Sequence, residues 1–544
     1  MADWFAKQTL GSLPARAASR WGEREALCFE GRRCSWAELS EAVDRAARGL
    51  MALGVQPGER VALWMVNRIE WVVAAFAIFK IGAVLLPINT RLRADDIAYI
   101  LKQSESATLI INDRAGPVDY LGMVRELLPD LERQAPGRLQ AGDFPDLRRF
   151  IVLGDAPAGS LAWTALDGHA NAVTEAALAA RAAGVNPDDT AYLMYTSGTT
   201  GLPKGVMHHH AVIRNVTDRG NRMGIGITDA ILMYLPLFHM FGFTEGLLMS
   251  VLTGARQVLT ATFDARESLA LIESERITLL HGFDLHFKDL IDAQAKEKRD
   301  LSSVRTGILA SGSSASWPTA RAARKAFGPL LSGFGMTEFC VGAAMSALDS
   351  TEEQCVEASG YPAPGYEIRI LDPATGRDQP AGTPGEILVR GYTMMQGYFK
   401  KPAETAAALD AEGWLHSGDM GVLRTDGHLR FMGRYKDMLK TGGENVDPME
   451  VEAFLMGHPA VDLAVVVSYP DPRLAEVGVA YVRLREGHSL SEAALIEYCK
   501  GRIASFKIPR RVVFTDAFPI TSSGKIQKTK LRDDALLRFP PAGP

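Results

Sequence analysis

The sequence has few cysteines and no long uninterrupted apolar run. Its five cysteines are scattered, none forms a CxxC pair, and no histidine stands at zinc-ligand spacing from them. So sparse and odd-numbered a set argues against a disulfide framework and favours a reducing compartment. The longest apolar stretch, residues 71–88, is interrupted by Lys80 and Gly82, which favours a buried helix and strand over a membrane span. The N-terminal residues lack the apolar segment of a signal peptide, so we expect a cytoplasmic protein without an integral membrane segment.

An excess of charge of either sign is also missing. The formal net charge is −5 over 544 residues, and no basic stripe could follow a phosphate backbone, so we expect no nucleic-acid partner. Apolar residues make up 47% of the chain, which is enough for large hydrophobic cores. Because this length exceeds what one core usually supports, we expect two or more domains. The composition leaves a homodimer open.

The first 330 residues alternate between helix and strand patterns. Ser35 and Glu38 form a capping-box pattern at the start of a helix that reaches about Leu53, and residues 60–65 read as a short buried strand. Continued alternation of this kind predicts α/β layers with largely parallel sheets.

The pattern changes between residues 368 and 431, where short β-like runs are separated by Pro/Gly turns. This is typical of a small antiparallel β subdomain. Helix–strand alternation resumes after residues 433–437. We therefore predict an α/β fold with two domains: a large N-terminal domain of layered α/β sheets plus a β subdomain, residues 1–434, and a small α+β C-terminal domain, residues 435–544.

The strongest local pattern is YTSGTTGLPKG, from Tyr195 to Gly205. Glycines let backbone amides converge on an anion, hydroxyls add donors, and Lys204 supplies a positive charge. The loop is not a Walker A loop, because Pro203 precedes the lysine and Gly205 follows it. It follows a candidate buried strand and precedes a helix-compatible stretch near His210. The candidate phosphate ligands are Thr196, Ser197, Gly198, Thr199, Thr200 and Lys204.

This loop resembles the phosphate loop of the adenylate-forming superfamily, which contains acyl-CoA synthetases, adenylation domains of nonribosomal peptide synthetases and firefly-type luciferases. Six further motifs follow in that superfamily's order, while residues 1–190 carry none. They are LPLFHMFG (235–242), ILASGSSAS (308–316), GFGMTE (333–338), GWLHSGDMG (413–421), GRYKDMLKTGGENVDPMEVE (433–452) and ITSSGKIQK (520–528).

The chemistry of such enzymes overcomes the repulsion between a carboxylate and ATP. Attack on the α-phosphorus gives an acyl-adenylate and pyrophosphate, and a metal ion and a lysine offset the charge. The resemblance implies that Lys525 is that lysine, that Glu338 coordinates Mg²⁺, and that Thr337 contacts the α-phosphate. Lys528 reads as a solvated surface lysine.

The resemblance also implies the nucleotide contacts. Phe334, in one motif with Gly335 and Met336, would stack on adenine, and Asp419 and Arg434 would hold the ribose. Gly312 and Ser313 belong to the loop that lines the adenine edge. There the superfamily often has Gly-Gly-Ala where this chain has Gly-Ser-Ser-Ala, so the individual contacts stay open.

A second set of residues relates to the thiol acceptor. The resemblance implies that the C-terminal domain rotates at a hinge near Lys436 after adenylation, which removes Lys525 from the site. Gly443 matches the glycine that lines the pantetheine tunnel, and Lys440 lies close to it. The cofactors and substrates implied are ATP, Mg²⁺, coenzyme A and a carboxylic acid.

Two groups of histidines deserve separate interpretations. In the superfamily, the position of His239 lies at the inner wall of the acyl pocket, although a core histidine is the alternative. His208, His209 and His210 cannot all face one ion on a strand or helix, and only His210 matches a position of the superfamily. We interpret that run as structural.

The acyl region indicates a carboxylate without an α-amine, since residues 236–242 contain no acid to pair with an ammonium group. The predicted function is an ATP-dependent acid–CoA ligase for a fatty, branched or alicyclic acid of medium size. An acyl-AMP ligase that loads a carrier protein, a luciferase-like oxygenase and an ATP-sensing module stay open. The predicted pocket residues are His239, Phe243, Phe283, Phe287 and Val341.

Overall fold

The computed structural model describes residues 5–196, 203–310, 316–441, 444–521 and 525–540, with the backbone alone at positions 436, 440, 444 and 445. Two mainly parallel sheets form most of the chain before residue 365, as the helix–strand alternation predicts. A four-stranded antiparallel sheet follows, and a last mixed sheet is built from residues after 438.

The first large sheet has seven strands. All neighbours are parallel except for the terminal hairpin, in which Glu25–Phe29 pairs with Arg32–Ser35. In spatial order its strands are Leu330–Leu331, Thr306–Leu309, Leu279–Gly282, Ala230–Met233, Arg256–Leu259, Glu25–Phe29 and Arg32–Ser35.

The second large sheet has eight strands and is parallel from its third strand onward. In spatial order they are Gly397–Tyr398, Lys204–His208, Tyr192–Thr196, Val84–Pro87, Arg60–Trp64, Ser106–Asn112, Arg149–Leu153 and Leu161–Ala162.

Helices connect the strands and cover the sheets. The helix Ile69–Lys80 is apolar on all sides and almost entirely buried, because it contacts strands of both large sheets. The predicted capping box begins Trp36–Ala52: the Glu38 amide donates to the Ser35 hydroxyl at 3.2 Å, and the Ser35 amide donates to the Glu38 carboxylate at 2.8 Å. Further α-helices up to residue 408 are Leu13–Trp21, Ala94–Ser104, Tyr120–Leu127, Ala165–Ala170, Glu175–Ala183, Val212–Arg222, Met240–Gly242, Met249–Thr253, Ala265–Ser274, Asp284–Lys296, Trp317–Phe327, Glu352–Val356 and Pro402–Ala408.

The predicted antiparallel subdomain is present. It consists of Tyr366–Leu371, Gly385–Gly391, Leu415–Leu423 and Leu429–Arg434 in that order. A small three-stranded sheet, Gly333–Phe334, Ala344–Met345 and Tyr361–Pro362, lies before it in sequence.

The C-terminal part forms its own mixed sheet with separate hydrophobic clusters on it. Its strands are Glu444–Val446, Leu439–Thr441, Ala475–Leu484, Val461–Asp471 and Arg511–Phe514, and its helices are Pro448–Met456, Glu492–Cys499 and Lys528–Arg538. None of the helices within the described residues combines the length and apolar character needed to cross a bilayer. The predicted α/β fold class is confirmed.

The phosphate loop differs from the sequence expectation in one respect. The helix expected near His210 begins at Val212, but a strand, Lys204–His208, comes first and runs antiparallel to Tyr192–Thr196. The register places Thr196 opposite Lys204, so the two strands that flank the loop form a β-hairpin.

Candidate active site

Tyr398 links the phosphate hairpin to Glu338. The strand Gly397–Tyr398 pairs with the outer strand of the hairpin, opposite Val206. The Tyr398 hydroxyl donates to Glu338 Oε1 at 3.0 Å, and Lys204 Nζ lies 4.9 Å from the centre of the tyrosine ring. Burial, together with the Glu338 charge, raises the pKa of Tyr398 above its usual value, so the phenol stays protonated and donates. No motif marks Tyr398, and sequence reasoning missed it.

Glu338 itself is buried at 9% exposure within the short turn Thr337–Phe339. Among the described residues it forms no ion pair, and its recorded side-chain hydrogen bond is the one from the Tyr398 hydroxyl. A buried carboxylate with an uncompensated charge is costly, and a cation bound beside it would offset that cost.

Asp419 and Arg434 face each other across two neighbouring strands of the antiparallel sheet. Arg434 Nε lies 3.1 Å from Asp419 Oδ1, outside hydrogen-bond alignment, so that buried oxygen has no hydrogen-bond donor among the described residues. Burial raises the pKa of Asp419 to about 6, although Arg434 and Lys525 act in the opposite direction. The free oxygen is an acceptor for a ligand hydroxyl.

Lys525 lies in the same cleft, four residues after Thr521 in the loop before the last helix. Its amide donates to the Thr521 hydroxyl at 2.9 Å, and the Thr521 amide donates back to its carbonyl at 2.6 Å. Arg91 ties this loop to the large N-terminal part by donating to the Thr521 carbonyl at 2.9 Å. Lys525 Nζ lies 5.0 Å from the centre of the Phe283 ring.

The electrostatics of Lys525 connect it with several predicted site residues. Burial lowers the pKa of its ammonium, Arg434 lowers it further, and Asp419 opposes both. Burial also lowers the pKa of His239 to about 3, with Lys525 contributing, so this imidazole is neutral at physiological pH. Residues from three other motifs thus interact electrostatically with the ammonium group of Lys525.

The acyl side of the cleft is aromatic. His239 precedes the helical segment Met240–Gly242 and accepts a hydrogen bond from the Phe241 amide at 3.3 Å. The Phe241 and Phe283 rings meet edge to face at 5.3 Å. A π-helical turn, Phe243–Leu248, continues the segment, a feature that often occurs near functional sites.

Two predicted pocket residues are wrong. Phe243 is fully buried against Phe79 and Tyr192, and Phe287 is fully buried against Phe327. Both belong to the hydrophobic core, since hydrophobicity in sequence does not separate core from pocket. His239, Phe283 and Val341 remain partly exposed.

The GFGMTE motif occupies a constrained turn. Phe334 keeps only 6% exposure, because its ring packs on Phe431 at 6.1 Å and on Phe339 at 5.8 Å. Gly335 is exposed, but a Cβ there would lie 2.6 Å from the Gly342 amide nitrogen, so no side chain fits. Adenine stacking by Phe334 stays a prediction.

The three consecutive histidines bond different groups. His210 Nδ1 accepts from the Leu10 amide at 2.9 Å, His209 Nδ1 accepts from the Ala211 amide at 3.1 Å, and His208 Nε2 lies 2.6 Å from the Thr337 carbonyl oxygen. This agrees with the structural interpretation of the run.

Lys528 corrects another expectation. It does not extend into solvent, but pairs with the buried Glu452 carboxylate at 2.6 Å. That carboxylate also accepts from the Val466 amide at 2.8 Å. Lys528 therefore neutralises a buried charge within the C-terminal part.

Several predicted residues are only partly placed. Lys436 lies in the turn Tyr435–Asp437 and Lys440 in the strand Leu439–Thr441, with their side chains outside the description. Thr196 ends its strand, and Thr337 and Met336 are half-buried. Outside the described residues lie Ser197, Gly198, Thr199, Thr200, Gly312, Ser313 and Gly443.

The chain resembles known families and proteins over most of its length. The profile of the AMP-binding enzyme family matches residues 14–399, and that of the AMP-binding enzyme C-terminal domain matches residues 450–525. A putative acyl-CoA synthetase, YngI, of Bacillus subtilis (strain 168) is 37% identical, over 98% of each chain.

Two other relatives are named for their acids. The 3-[(3aS,4S,7aS)-7a-methyl-1,5-dioxo-octahydro-1H-inden-4-yl]propanoyl:CoA ligase of Rhodococcus jostii (strain RHA1) is 36% identical, over 97% of this chain and 98% of the relative. The mitochondrial medium-chain acyl-CoA ligase ACSF2 of Rattus norvegicus is 33% identical, over 97% of this chain and 87% of the relative.

Solved structures agree with this assignment. The anthranilate CoA ligase AuaEII in complex with anthranoyl-AMP superposes with a TM-score of 0.85 at 28% identity, covering 99% of both chains. The O-succinylbenzoate coenzyme A synthetase of Bacillus subtilis in complex with AMP gives a TM-score of 0.77 at 28% identity, covering 97% of this chain and 98% of the other. The chain therefore belongs to the AMP-binding enzyme family, within the adenylate-forming superfamily, and is an AMP-forming acid–CoA ligase.

Proposed function

We propose that this ligase activates a medium-size fatty, branched or alicyclic carboxylic acid that lacks an α-amine. In the first step the carboxylate attacks the α-phosphorus of ATP, which forms acyl-AMP and releases pyrophosphate. In the second step the thiol of coenzyme A attacks the acyl carbon, which forms acyl-CoA and releases AMP. The convergence of Lys525 with Asp419, Arg434, His239 and Phe283 in one cleft carries this proposal.

Lys525 acts on the first step. Its ammonium group lies between the aromatic acyl side of the cleft and the Asp419–Arg434 pair. There it offsets the negative charge that accumulates as the carboxylate approaches the α-phosphate. Lys204 adds a second cation at the phosphate hairpin, and Thr337 adds a hydroxyl.

Asp419 holds the nucleotide sugar. Its Oδ1 is buried, lacks a hydrogen-bond donor among the described residues, and faces the cleft in which Lys525 lies. A ribose hydroxyl would donate a charge-assisted hydrogen bond to it, and Arg434 keeps the carboxylate ionised.

Magnesium fits Glu338. The carboxylate is buried, makes no ion pair among the described residues, and is oriented by Tyr398 through one oxygen. Mg²⁺ is usually held by one or two carboxylates together with substrate phosphates and waters. When bound, it would neutralise phosphate charge, and Glu338 would hold it beside Thr337.

The second step requires a different surface of the C-terminal part. We assign residues 1–434 and 435–544 to two domains with a hinge near Lys436, and we assign Lys440 and Gly443 to the route of the pantetheine thiol. Two polar contacts between described residues join the C-terminal part to the rest of the chain in this orientation: Arg91 with the Thr521 carbonyl, and Lys288 with Asp462 at 2.8 Å. A rotation that breaks these contacts would release the lysine and expose the acyl-adenylate to the thiol.

The acid class follows from the chemistry of the cleft. Phe241 and Phe283 form an apolar wall, and His239 is neutral. Glu245, the nearest acid to the His239 segment in sequence, is paired with Arg219 at 2.7 Å and cannot accept a substrate ammonium group. The relatives named for an alicyclic acid and for medium-chain acids support the same class. A cytoplasmic location is part of the proposal, supported by five buried, unpaired cysteines.

A panel of carboxylic acids tests the proposal. Medium-chain, branched and alicyclic acids should support both acid-dependent pyrophosphate release and coenzyme A-dependent AMP formation, whereas amino acids should support neither. Activity only with amino acids would contradict the acid class. Pyrophosphate release together with transfer to a carrier protein, but not to coenzyme A, would favour the acyl-AMP ligase instead.

A further inference from the structure

The backbone that follows the GFGMTE motif is strained. Cys340 and Val341 have φ angles of 63° and 55°, a left-handed conformation that residues with a side chain, and β-branched valine above all, rarely adopt. Such a conformation is costly and persists only where the surrounding structure holds it. Strain of this kind is common beside active sites, and here it directly follows Thr337 and Glu338.

Groups from three other elements donate hydrogen bonds to carbonyl oxygens of this turn, residues 337–342. They come from the outer strand of the phosphate hairpin, from the helix Val212–Arg222 and from the loop before Gly397–Tyr398. The contacts are His208 to Thr337 O at 2.6 Å, the Met395 amide to Glu338 O at 2.8 Å, the Thr393 hydroxyl to Phe339 O at 2.8 Å, Arg219 to Val341 O, and Asn215 to Gly342 O at 3.2 Å.

Among these contacts, His208 is the side chain that bonds a residue of the GFGMTE motif, since the contact to Glu338 comes from the Met395 backbone amide. A carbonyl oxygen only accepts, so Nε2 carries the ring proton and donates it to Thr337. Nδ1 is then an acceptor for the Cys340 thiol at 3.2 Å, and the Tyr192 hydroxyl lies 3.0 Å from that sulfur. The imidazole also stacks on the Tyr192 ring at 5.2 Å. Its tautomer and its orientation are thereby both determined.

The same strand connects the two phosphate-binding elements. It begins at Lys204 and ends at His208, so one short strand carries the hairpin cation at one end and the Thr337 hydrogen bond at the other.

We propose that His208 is a positioning residue for adenylation. It fixes the Thr337 carbonyl and thereby the short turn from which Thr337 and Glu338 present their side chains to the phosphates and the divalent cation. This role rests on the proposed function, since it requires nucleotide and Mg²⁺ at this turn.

Two substitutions by amide side chains distinguish the roles of the two ring nitrogens. In His208→Gln the side-chain amide can occupy the position of Nε2 and still donate to Thr337, whereas in His208→Asn it reaches only the position of Nδ1. Both are uncharged and polar, but asparagine is one methylene shorter, so the unfolding midpoint of each variant is measured beside its activity. His209→Gln, at the next and half-buried position, is the control for substitution within the run.

The first measurement is the dissociation constant of ATP with and without Mg²⁺. The second is acid-dependent pyrophosphate release as a function of Mg²⁺ concentration. His208→Asn should lose about tenfold in Mg²⁺-dependent affinity and rate, as is usual when a partner of a metal-binding element is removed. His208→Gln should stay within about threefold of wild type, since the donor is kept. Conversion of preformed acyl-adenylate to thioester should be unchanged in both.

The comparison between the two amides decides the outcome. Equal behaviour of His208→Asn and His208→Gln, or equal loss of both half-reactions in step with a lower unfolding midpoint, would overturn the positioning role. An inactive wild-type protein would instead contradict the proposed function, and the ATP dissociation constants would still compare the two variants.

Discussion

The raised pKa of Asp419, the proposed ribose ligand, should make ATP binding depend on pH. Its pKa of about 6 in the folded protein lies above the usual aspartate value, mainly because the carboxyl is buried. At pH 5 about a tenth of such a group is ionised, so ATP affinity should fall about tenfold between pH 7.5 and 5. The Michaelis constant for ATP over this range measures the effect, and Asp419→Asn should show a weak affinity without this pH dependence.

Protonation of Asp419 does not itself destabilise the folded protein. Since the folded pKa is raised, the native state binds the Asp419 proton more readily than the unfolded chain does, and this group adds stability as the pH falls through 6. An ATP Michaelis constant that stays flat down to pH 5 would contradict the role of the ionised carboxylate.

Substitution of Lys525 should affect the rates of the two half-reactions differently. Lys525→Ala should slow acid-dependent pyrophosphate release about 10²–10³-fold, because a preplaced charge that stabilises the transition state is lost. It should leave thioester formation from preformed acyl-adenylate intact, because in the proposed rotation the lysine leaves the site before that step. The exposed Lys530, on the helix that follows the loop, gives the control variant Lys530→Ala. Equal slowing of both half-reactions would refute the domain rotation.

At the scale of elements, a two-residue strand completes the phosphate site. Gly397–Tyr398 pairs with the outer strand of the hairpin and thereby brings the tyrosine hydroxyl to Glu338. Tyr398→Phe should lower the rate of pyrophosphate release about tenfold and raise the Mg²⁺ concentration needed, because one carboxylate oxygen loses its donor. Steady-state kinetics at varied Mg²⁺ concentration measure both effects.

A second variant distinguishes the contribution of the tyrosine hydroxyl from that of its ring. Tyr398→Leu also removes the aromatic face near Lys204, so it should additionally weaken ATP binding. If Tyr398→Phe behaves like wild type, the hydroxyl does not orient Glu338 during the reaction.

At the scale of the molecule, Lys288 and Asp462 hold the N- and C-terminal parts together in the orientation that places Lys525 in the cleft. Their 2.8 Å ion pair is partly buried, with side-chain exposures of 23% and 14%. Lys288→Met should lower the free energy that favours this orientation by up to about 1 kcal/mol. That is equivalent to a decrease of up to about fivefold in the adenylation rate. Separate assays of the two half-reactions should show the thioester step unchanged or faster.

The conservative change provides the control. Lys288→Arg keeps a cation for Asp462 and should retain most of the adenylation rate. A thioester step that slows together with adenylation in Lys288→Met would show that the pair supports the fold rather than one orientation.

Local patterns in the sequence were sufficient to predict which segments form helices and strands and which chemistry the motifs support. The Ser35–Glu38 cap, the strands near residues 60 and 84, and the antiparallel region before residue 434 depend on interactions within a few residues, which the sequence displays directly. The strand Lys204–His208 was missed, because a short apolar run after a loop does not distinguish a strand from the approach to a helix.

Which residues meet was decided only by the tertiary structure. Tyr398 reaches Glu338 through strand pairing, Lys525 reaches Asp419 through the orientation of the C-terminal part, and Phe243 and Phe287 enter the core through sheet packing. These contacts join segments far apart in sequence, and their free energy comes from burial and electrostatics between elements. The sequence by itself therefore determined the family, the fold class and the reaction type, and the packing of the elements determined which side chains form the site.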